Sequence, residues 1–333
     1  MKKHLLLLIS LSLLLACQSE ISTKSVSGMA LGTTYNIKYF SDEELEVQPA
    51  LDSIFEIINT SMSTYQPDSD ISRINQGDTN VVVDEHFVNV FQASRKIYEE
   101  SEGYFDPTVG NLVNAYGFGP EKQLEQPDEV YLDSLHQLVG FDKLHLTEDN
   151  KIIKETPGIY IDFNAIAKGY AIDVIAEYFD EKGTENYLIE LGGELVAKGR
   201  NMQKDADWLV AIDDPEQEVG KRTFQGILAL QNRAMATSGN YRKFSLDSTG
   251  NTFVHTINPL TGRAEKNDLL SASVLAENCT LADGYASAFM AMGYEKAVSL
   301  VEKLDNVDAY LIFVNNGEPE VYTTEGFEKV LRD

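Results

Sequence analysis

Hydrophobic positions along this chain recur at helical spacing in some segments and gather into strand-length runs in others. From Glu85 to Glu100, Phe87, Val90, Phe91, Ser94 and Tyr98 fall near one face of a helix. Leu51 to Met62 predicts another helix, and two more are predicted over Leu281 to Met292 and Glu295 to Leu304. After Asn164, the residues Ala167, Ala171, Val174, Ile175 and Tyr178 stand at i, i+4, i+7, i+8 and i+11, an amphipathic face. Strands are predicted at Thr33 to Phe40, Gly158 to Ile161, Asn186 to Leu191, Trp208 to Ile212, Phe224 to Leu230, Leu270 to Leu275 and Ala309 to Val314. Helices and strands do not alternate strictly. The pattern predicts an α+β chain built as a single sheet-centred domain, with two intimate lobes as the other arrangement a chain of this size allows.

The first residues bear on compartment. Lys2 and Lys3 precede an apolar run, Leu5 to Ala16, too short to span a bilayer, and the run ends in Leu14-Leu15-Ala16-Cys17. This predicts a lipoprotein signal peptide over 1–16, a lipid on Cys17, a polar tether to residue 24 and one domain over 25–333. The domain is then expected in the periplasm or otherwise outside the cytoplasm, anchored to a membrane. Cys279 has no intramolecular partner left, so no structural disulfide is expected. Acidic residues outnumber basic ones 53 to 27; the formal charge is −26, and removing Lys2 and Lys3 makes it −28. Such a charge excludes nucleic acid as a natural partner. An anionic ligand would need a lysine, a helix end or a metal cation to receive it.

The densest chemistry lies in Ile161 to Asp173, IDFNAIAKGYAID. Asp162 ends a short strand, Asn164 is placed to cap the following helix, and Lys168 sits in its opening turns, where anions are favoured. Gly169 costs a helix about 1 kcal/mol against alanine, so it marks a point of close approach. The layout is that of a phosphate-binding turn, or of an ordinary strand-end acid and solvated lysine; companion segments must decide. Asp283 and Ser287 stand i, i+4 on a predicted helix, one carboxylate and one hydroxyl on one face, hard ligands suited to Mg²⁺ or simply a polar capping pair. His255 leaves a strand into a Pro/Gly turn, and Thr237-Ser238-Gly239-Asn240-Tyr241-Arg242 and Gly192-Gly193 read as glycine-bearing turns. Tyr65, and Tyr104-Phe105-Asp106 ahead of Pro107, offer aromatic faces for a flat heterocycle, or plain core.

In this order the segments ALGTTY, MSTYQPDSDISRIN, GYFDPTVGNLVNAYGFG, IDFNAIAKGYAID, IELGGEL, ATSGNYRKF, HTINPLTGR and CTLADGYASAFMAMG resemble the ApbE family, the FAD:protein FMN transferases, over the whole mature chain. The resemblance implies FAD contacts from Leu31, Tyr65, Tyr104, Phe105, Asp106, Asp162, Lys168 and Ile257. It implies Mg²⁺ held by Asp283, Ser287 and the backbone oxygen of Ala165. Leucine stands where the family's Met-Gly-Thr begins, and Ser287 where it has threonine. Ala286 replaces a second acid that some members carry. The implied reaction transfers FMN from FAD to a threonine of a target flavoprotein, a subunit of a membrane redox complex, and releases AMP; His255 and Asp283 are the candidate catalytic residues. The rival readings are an FAD pyrophosphatase with the same site and a lipid-anchored flavin-binding protein.

Overall fold

The computed structural model describes residues 22–121, 127–213, 223–239, 244–246, 252–254, 256–264 and 267–332. The strands are β1 (Lys24–Ala30), β2 (Thr33–Phe40), β3 (Leu144–Leu146), β4 (Ile152–Lys154), β5 (Asn186–Leu191), β6 (Glu194–Lys198), β7 (Trp208–Asp213), β8 (Phe224–Leu230), β9 (Arg233–Gly239), β10 (Phe244–Leu246), β11 (Thr252–Val254), β12 (Leu269–Ala276), β13 (Asp308–Asn315), β14 (Glu318–Thr323) and β15 (Leu331–Arg332). The helices are α1 (Val47–Met62), α2 (Asp70–Asn75), α3 (Glu85–Glu100), α4 (Gly110–Ala115), α5 (Glu129–His136), α6 (Ala167–Glu181), α7 (Cys279–Met292), α8 (Tyr294–Val301) and α9 (Glu325–Glu328).

Eight strands form one antiparallel sheet in the order β1-β2-β5-β6-β9-β12-β13-β14. Side chains alternate across it, as the two-residue period of a strand requires. Tyr35, Ile37 and Tyr39, Ala234 and Ala236, Val274, and Ala309 and Leu311 point into a large core shared with α1, α3, α6, α7 and α8. Phe40, Leu195, Ala197, Met235, Leu275, Tyr310 and Ile312 point to the other face. There a second sheet, β15-β8-β7, closes over them with Trp208, Val210, Ile212, Leu228 and Leu230. The predicted α+β, sheet-centred architecture is what forms. A small satellite core of Leu112, Ala115, Leu132, Ile257 and Ala264 joins α4, α5 and the 256–264 segment. Among the described residues no helix is long and apolar enough to cross a membrane.

The helix that matters most is α7. It is buried nearly all round, as a helix apolar on every side must be, and it lies against β9, β12, α3 and α6. Asn278 caps it, accepting from the Leu281 N–H at 2.9 Å. Asp173 of α6 accepts from the Cys279 and Thr280 N–H groups, each at 2.8 Å, so a carboxylate from one helix meets the positive end of the next. Burial pushes Asp173 up to about 6, against the hydrogen bonds from Thr280 and Cys279. Gly169 is where α6 and α7 touch: a Cβ there would lie 2.3 Å from the Cys279 carbonyl oxygen and 2.9 Å from Asp283 Cβ. The close approach read from the sequence is real.

Four expectations are corrected. Gly158 to Ile161 makes no ladder, only an isolated parallel bridge between Tyr160 and Val109. The reason is that Ile161 spends its N–H and carbonyl on the Asn75 side chain, at 2.8 Å each. Asn164 does not cap α6, which starts at Ala167 after Ile166; its N–H donates to Asp162 Oδ1 at 2.7 Å and its amide reaches Thr64 Oγ1 at 3.3 Å. Thr237 to Gly239 continue β9 rather than forming a turn, because they pair with Ser273 to Ser271 of β12. Lys24, placed at the end of a tether, opens β1 opposite Tyr39.

The α6–α7 contact gives a direct test. Gly169→Ala should gain helix propensity of about 1 kcal/mol yet lower stability by about 1–3 kcal/mol, because the added methyl has no room. Urea unfolding of variant and parent measures this; a more stable variant would show the helices are not in contact.

Candidate active site

A chain of contacts links several of the candidate residues. It begins at the β1–β2 hairpin, where Leu31 (φ 48°) and Gly32 (φ 75°) both take left-handed backbone, the combination a type I′ two-residue turn requires. Glycine adopts this freely, whereas a leucine there is uncommon and strained. Beside it, Gly192 donates its N–H to the Thr34 carbonyl at 3.0 Å, and Gly192-Gly193 make the turn between β5 and β6 as expected.

Glu194 follows that turn. It shares its face of β6 with Val196, which packs against the helical core, while Leu195 and Ala197 face the second sheet. Its carboxylate meets Lys168 from the first turn of α6: Lys168 Nζ donates to Glu194 Oε1 and lies 3.7 Å from Asp283 Oδ2 of α7. Asp283 Oδ2 also accepts the Gly169 N–H at 3.1 Å. Lys168 is therefore not the solvated helix lysine; its side chain is 30% exposed, against 7% for Glu194 and 4% for Asp283. Burial alone would lower the Lys168 ammonium, but Asp283 and Glu194 outweigh it and raise the group above the usual lysine range. Burial, with the charge of Asp283, pushes Glu194 up to about 8, although Lys168 pulls the other way. Burial raises Asp283 too, opposed by Lys168. Two buried acids share one ammonium, and burial raises both. Glu194 Oε2 is buried with no hydrogen-bond partner among the described residues.

One turn further along α7, Ser287 Oγ lies 3.5 Å from the Ala165 carbonyl oxygen and 3.4 Å from Ser238 Oγ. The donor set of Asp283, Ser287 and Ala165 is all hard oxygen, so these residues fit Mg²⁺ completed by water and phosphate. Among the described residues no group of three or more His, Cys, Asp and Glu side chains forms a metal site. A cation here would therefore depend on the hydroxyl and the carbonyl as well as on Asp283.

Beyond Ala165 the path reaches Asp162, buried and raised by desolvation against the Asn164 N–H. Its own N–H donates to the Pro107 carbonyl at 2.8 Å, tying this segment to the 104–110 loop. Tyr65 stands close enough for the Asp162 charge to raise its hydroxyl after burial has done so, and 62% of it is exposed, an open aromatic face. Asp106 is buried and fully occupied: Oδ1 accepts from the Thr108 N–H at 2.8 Å and hydroxyl at 2.6 Å, and Oδ2 from the Phe141 N–H at 3.1 Å. It shapes the loop. Phe105 is core, and Tyr104 carries Lys296, whose ammonium bonds its hydroxyl and sits 4.7 Å above its ring. Ile257 packs in the satellite core and is 6% exposed. His255, like Asn240, lies outside the described residues. Glu194, Asn75 and Ser238 belong to the site and were not read from the sequence as site residues. A lone acid directly after Gly-Gly in an apolar strand was the available signal for Glu194.

Burial pushes Asp106 up to about 6, more than its three hydrogen bonds pull it down. An unfolded aspartate titrates near ~3.9, so the folded chain holds this proton longer, and the stability it confers is complete below ~4 and lost as pH rises through about 6. Asp106→Asn cannot ionise. Between pH 4 and 7 its unfolding free energy should therefore gain on the parent by about 2–3 kcal/mol, measured by urea titration at each pH; parallel pH profiles would refute the assignment.

The fold and these motifs have close counterparts. Residues 31–311 match the ApbE family model. A Haemophilus influenzae protein described as an FAD:protein FMN transferase is 35% identical over 95% of this chain and 94% of its own length. One of the same description from Vibrio cholerae is 35% identical over 99% of each chain. The solved structure of the flavin transferase ApbE from Vibrio cholerae superposes with a TM-score of 0.84 at 33% identity, covering 93% of this chain and 100% of that one. By the family match, these identities and the shared fold, the chain belongs to the ApbE family.

Proposed function

We propose that this chain is an Mg²⁺-dependent FAD:protein FMN transferase working outside the cytoplasm. The observation that carries the reading is the meeting of the Lys168–Glu194–Asp283 cluster with the Ala165 carbonyl and Ser287 hydroxyl, in a chain matched over 95% and 99% of its length by proteins of that description. A chain of charge −26 has no general attraction for a pyrophosphate dianion. It needs local positive charge, and this is the place built to hold it.

In the proposed reaction the hydroxyl oxygen of a target threonine attacks the FMN-side phosphorus of FAD. The phosphorus–oxygen bond to the AMP phosphate breaks, AMP leaves, and FMN stays on the protein as a phosphoester. The threonine proton passes to a base, for which His255 remains the candidate. When bound by Asp283, Ser287 and the Ala165 carbonyl, Mg²⁺ supplies charge neutralisation at the pyrophosphate. The protein's own part is mostly positioning. Tyr65 offers its exposed ring to the flavin beside Asp162, and Asp106 fixes the Tyr104–Pro107 loop against Asp162. Leu31 presents an apolar edge at the hairpin. The acceptor is a flavoprotein subunit of a membrane redox complex with a short Ser/Thr-Gly-Ala-Thr-type motif. A lipid on Cys17, which lies outside the described residues, holds the 25–333 domain at the membrane.

Incubating the protein with FAD, Mg²⁺ and exported acceptor should add one FMN less water to a threonine, with AMP in equal amount. Free FMN and AMP with no labelled acceptor would mean hydrolysis, and intact FAD would mean binding alone. EDTA should abolish transfer. Asp283→Ala should lower turnover by about a hundredfold or more, with part of the FAD affinity kept by the aromatic contacts. Anchoring is tested separately: mass spectrometry of membrane-isolated protein should find acyl chains on Cys17, and an unmodified cysteine there would remove the anchor from the proposal.

A further inference from the structure

We propose that Glu194 is a positioning residue: it holds the Lys168 ammonium off Asp283 and so keeps that carboxylate open to a divalent cation. The inference rests on the cation-site part of the function proposed above and adds to it a residue with no place in the donor set.

The three groups come from three elements. Lys168 is on α6, Asp283 on α7, and Glu194 on β6, which is paired on one side with β5 and on the other with β9. The strand fixes Glu194, while Lys168 is a flexible four-carbon stem carrying three donors. Its ammonium has settled on Glu194 Oε1 and stands 3.7 Å from Asp283 Oδ2, beyond hydrogen-bond distance. Asp283 accepts the Gly169 N–H at 3.1 Å and keeps the Lys168 ammonium only at ion-pair distance. A buried ammonium without a partner is costly. With Glu194 removed, Asp283 becomes the carboxylate already within reach, and Lys168 closes on it. An ammonium seated there excludes a metal cation twice, by occupying the oxygens and by its like charge.

The unbonded Glu194 Oε2 supports the assignment. An acid whose task was to tie β6 to the helices would be expected to satisfy both oxygens, as buried polar groups do. Glu194 spends one oxygen on Lys168 and, among the described residues, leaves the other without a donor. Its near-complete burial rules out solvent as a ready substitute for the missing partner, so its effect falls on the lysine.

Binding of Mn²⁺ to the FAD-free protein, followed by electron paramagnetic resonance, tests this without turnover. Glu194→Met keeps side-chain length and removes the acceptor; it should weaken Mn²⁺ by about tenfold or more. The Lys168→Met/Glu194→Met double variant removes the competing ammonium as well and should return to within about twofold of the parent. Lys168→Met alone, which leaves Glu194 in place, should bind Mn²⁺ more tightly than the parent. Unchanged affinity in Glu194→Met overturns the inference. So does a double variant as weak as the single one, which would mean that Glu194 acts on the cation directly, or a Lys168→Met protein that binds no tighter. A parent protein that takes up no Mn²⁺ overturns the cation site itself, and with it this role for Glu194.

Discussion

Everything in the site depends on α6 and α7 crossing at backbone distance. Gly169 has no side chain, the Cys279 carbonyl fills the space where one would be, and the Gly169 N–H donates into Asp283. That single contact sets Lys168 one residue before it and Ala165 four residues before it against Asp283 and Ser287 on the opposing helix. Asp173 then fastens the far side of the same crossing to the first turn of α7. The small residues Ala282, Gly284, Ala286 and Ala288 let α7 sit deep enough for this. At Gly284 even a Cβ would lie 2.3 Å from Ile97 of α3. Packing and chemistry are here the same constraint, since a methyl group that loosens the helices also moves the charges.

The electrostatics follow from the packing. A lysine, two carboxylates and little water make a cluster whose groups cannot all be ionised comfortably, and each is driven from its ordinary pKa by its neighbours. In phosphate sites made from glycine-rich loops, backbone N–H groups receive the anion directly. The cluster here is arranged differently: the first turn of α6 contributes a lysine already bound to acids from β6 and α7.

Long segments with one dominant period were legible in the sequence. Thr33 to Phe40, Glu85 to Glu100, Asn186 to Leu191 and Phe224 to Leu230 were read with the boundaries they have. β1, β6, β9 and β14 were not read as strands. β9, with Ala234, Met235 and Ala236 in succession, is buried on both faces and shows no alternation. β14 is exposed along most of its length, so it has no apolar face to show. The extended run before Asp162 was mistaken for a strand because a local pattern cannot reveal that Asn75, 86 residues away, takes both of its backbone groups. In the site, residue type and spacing on one helix found Asp283 and Ser287, and the glycine found the crossing. Glu194 escaped because its meaning comes from which face of the sheet it occupies and what lies across from it, neither of which is a local property.

The main sheet has a further property with consequences for how the chain is made. Its strands lie side by side in the order in which they occur in the sequence, from β1 to β14. Each new strand is laid against the previous one, and every intervening stretch leaves and returns between neighbours, so no segment is threaded through another. The helices and loops carrying Tyr65, Asp106 and Lys168 form one such excursion, between β2 and β5; the second sheet departs between β6 and β9. A chain emerging from its amino end can therefore extend a finished edge rather than wait for distant partners. The exceptions are β15, which returns at the carboxyl end to pair with β8, and α7: until residues beyond 279 have arrived Lys168 and Glu194 lack Asp283, so the charged cluster is completed late in assembly.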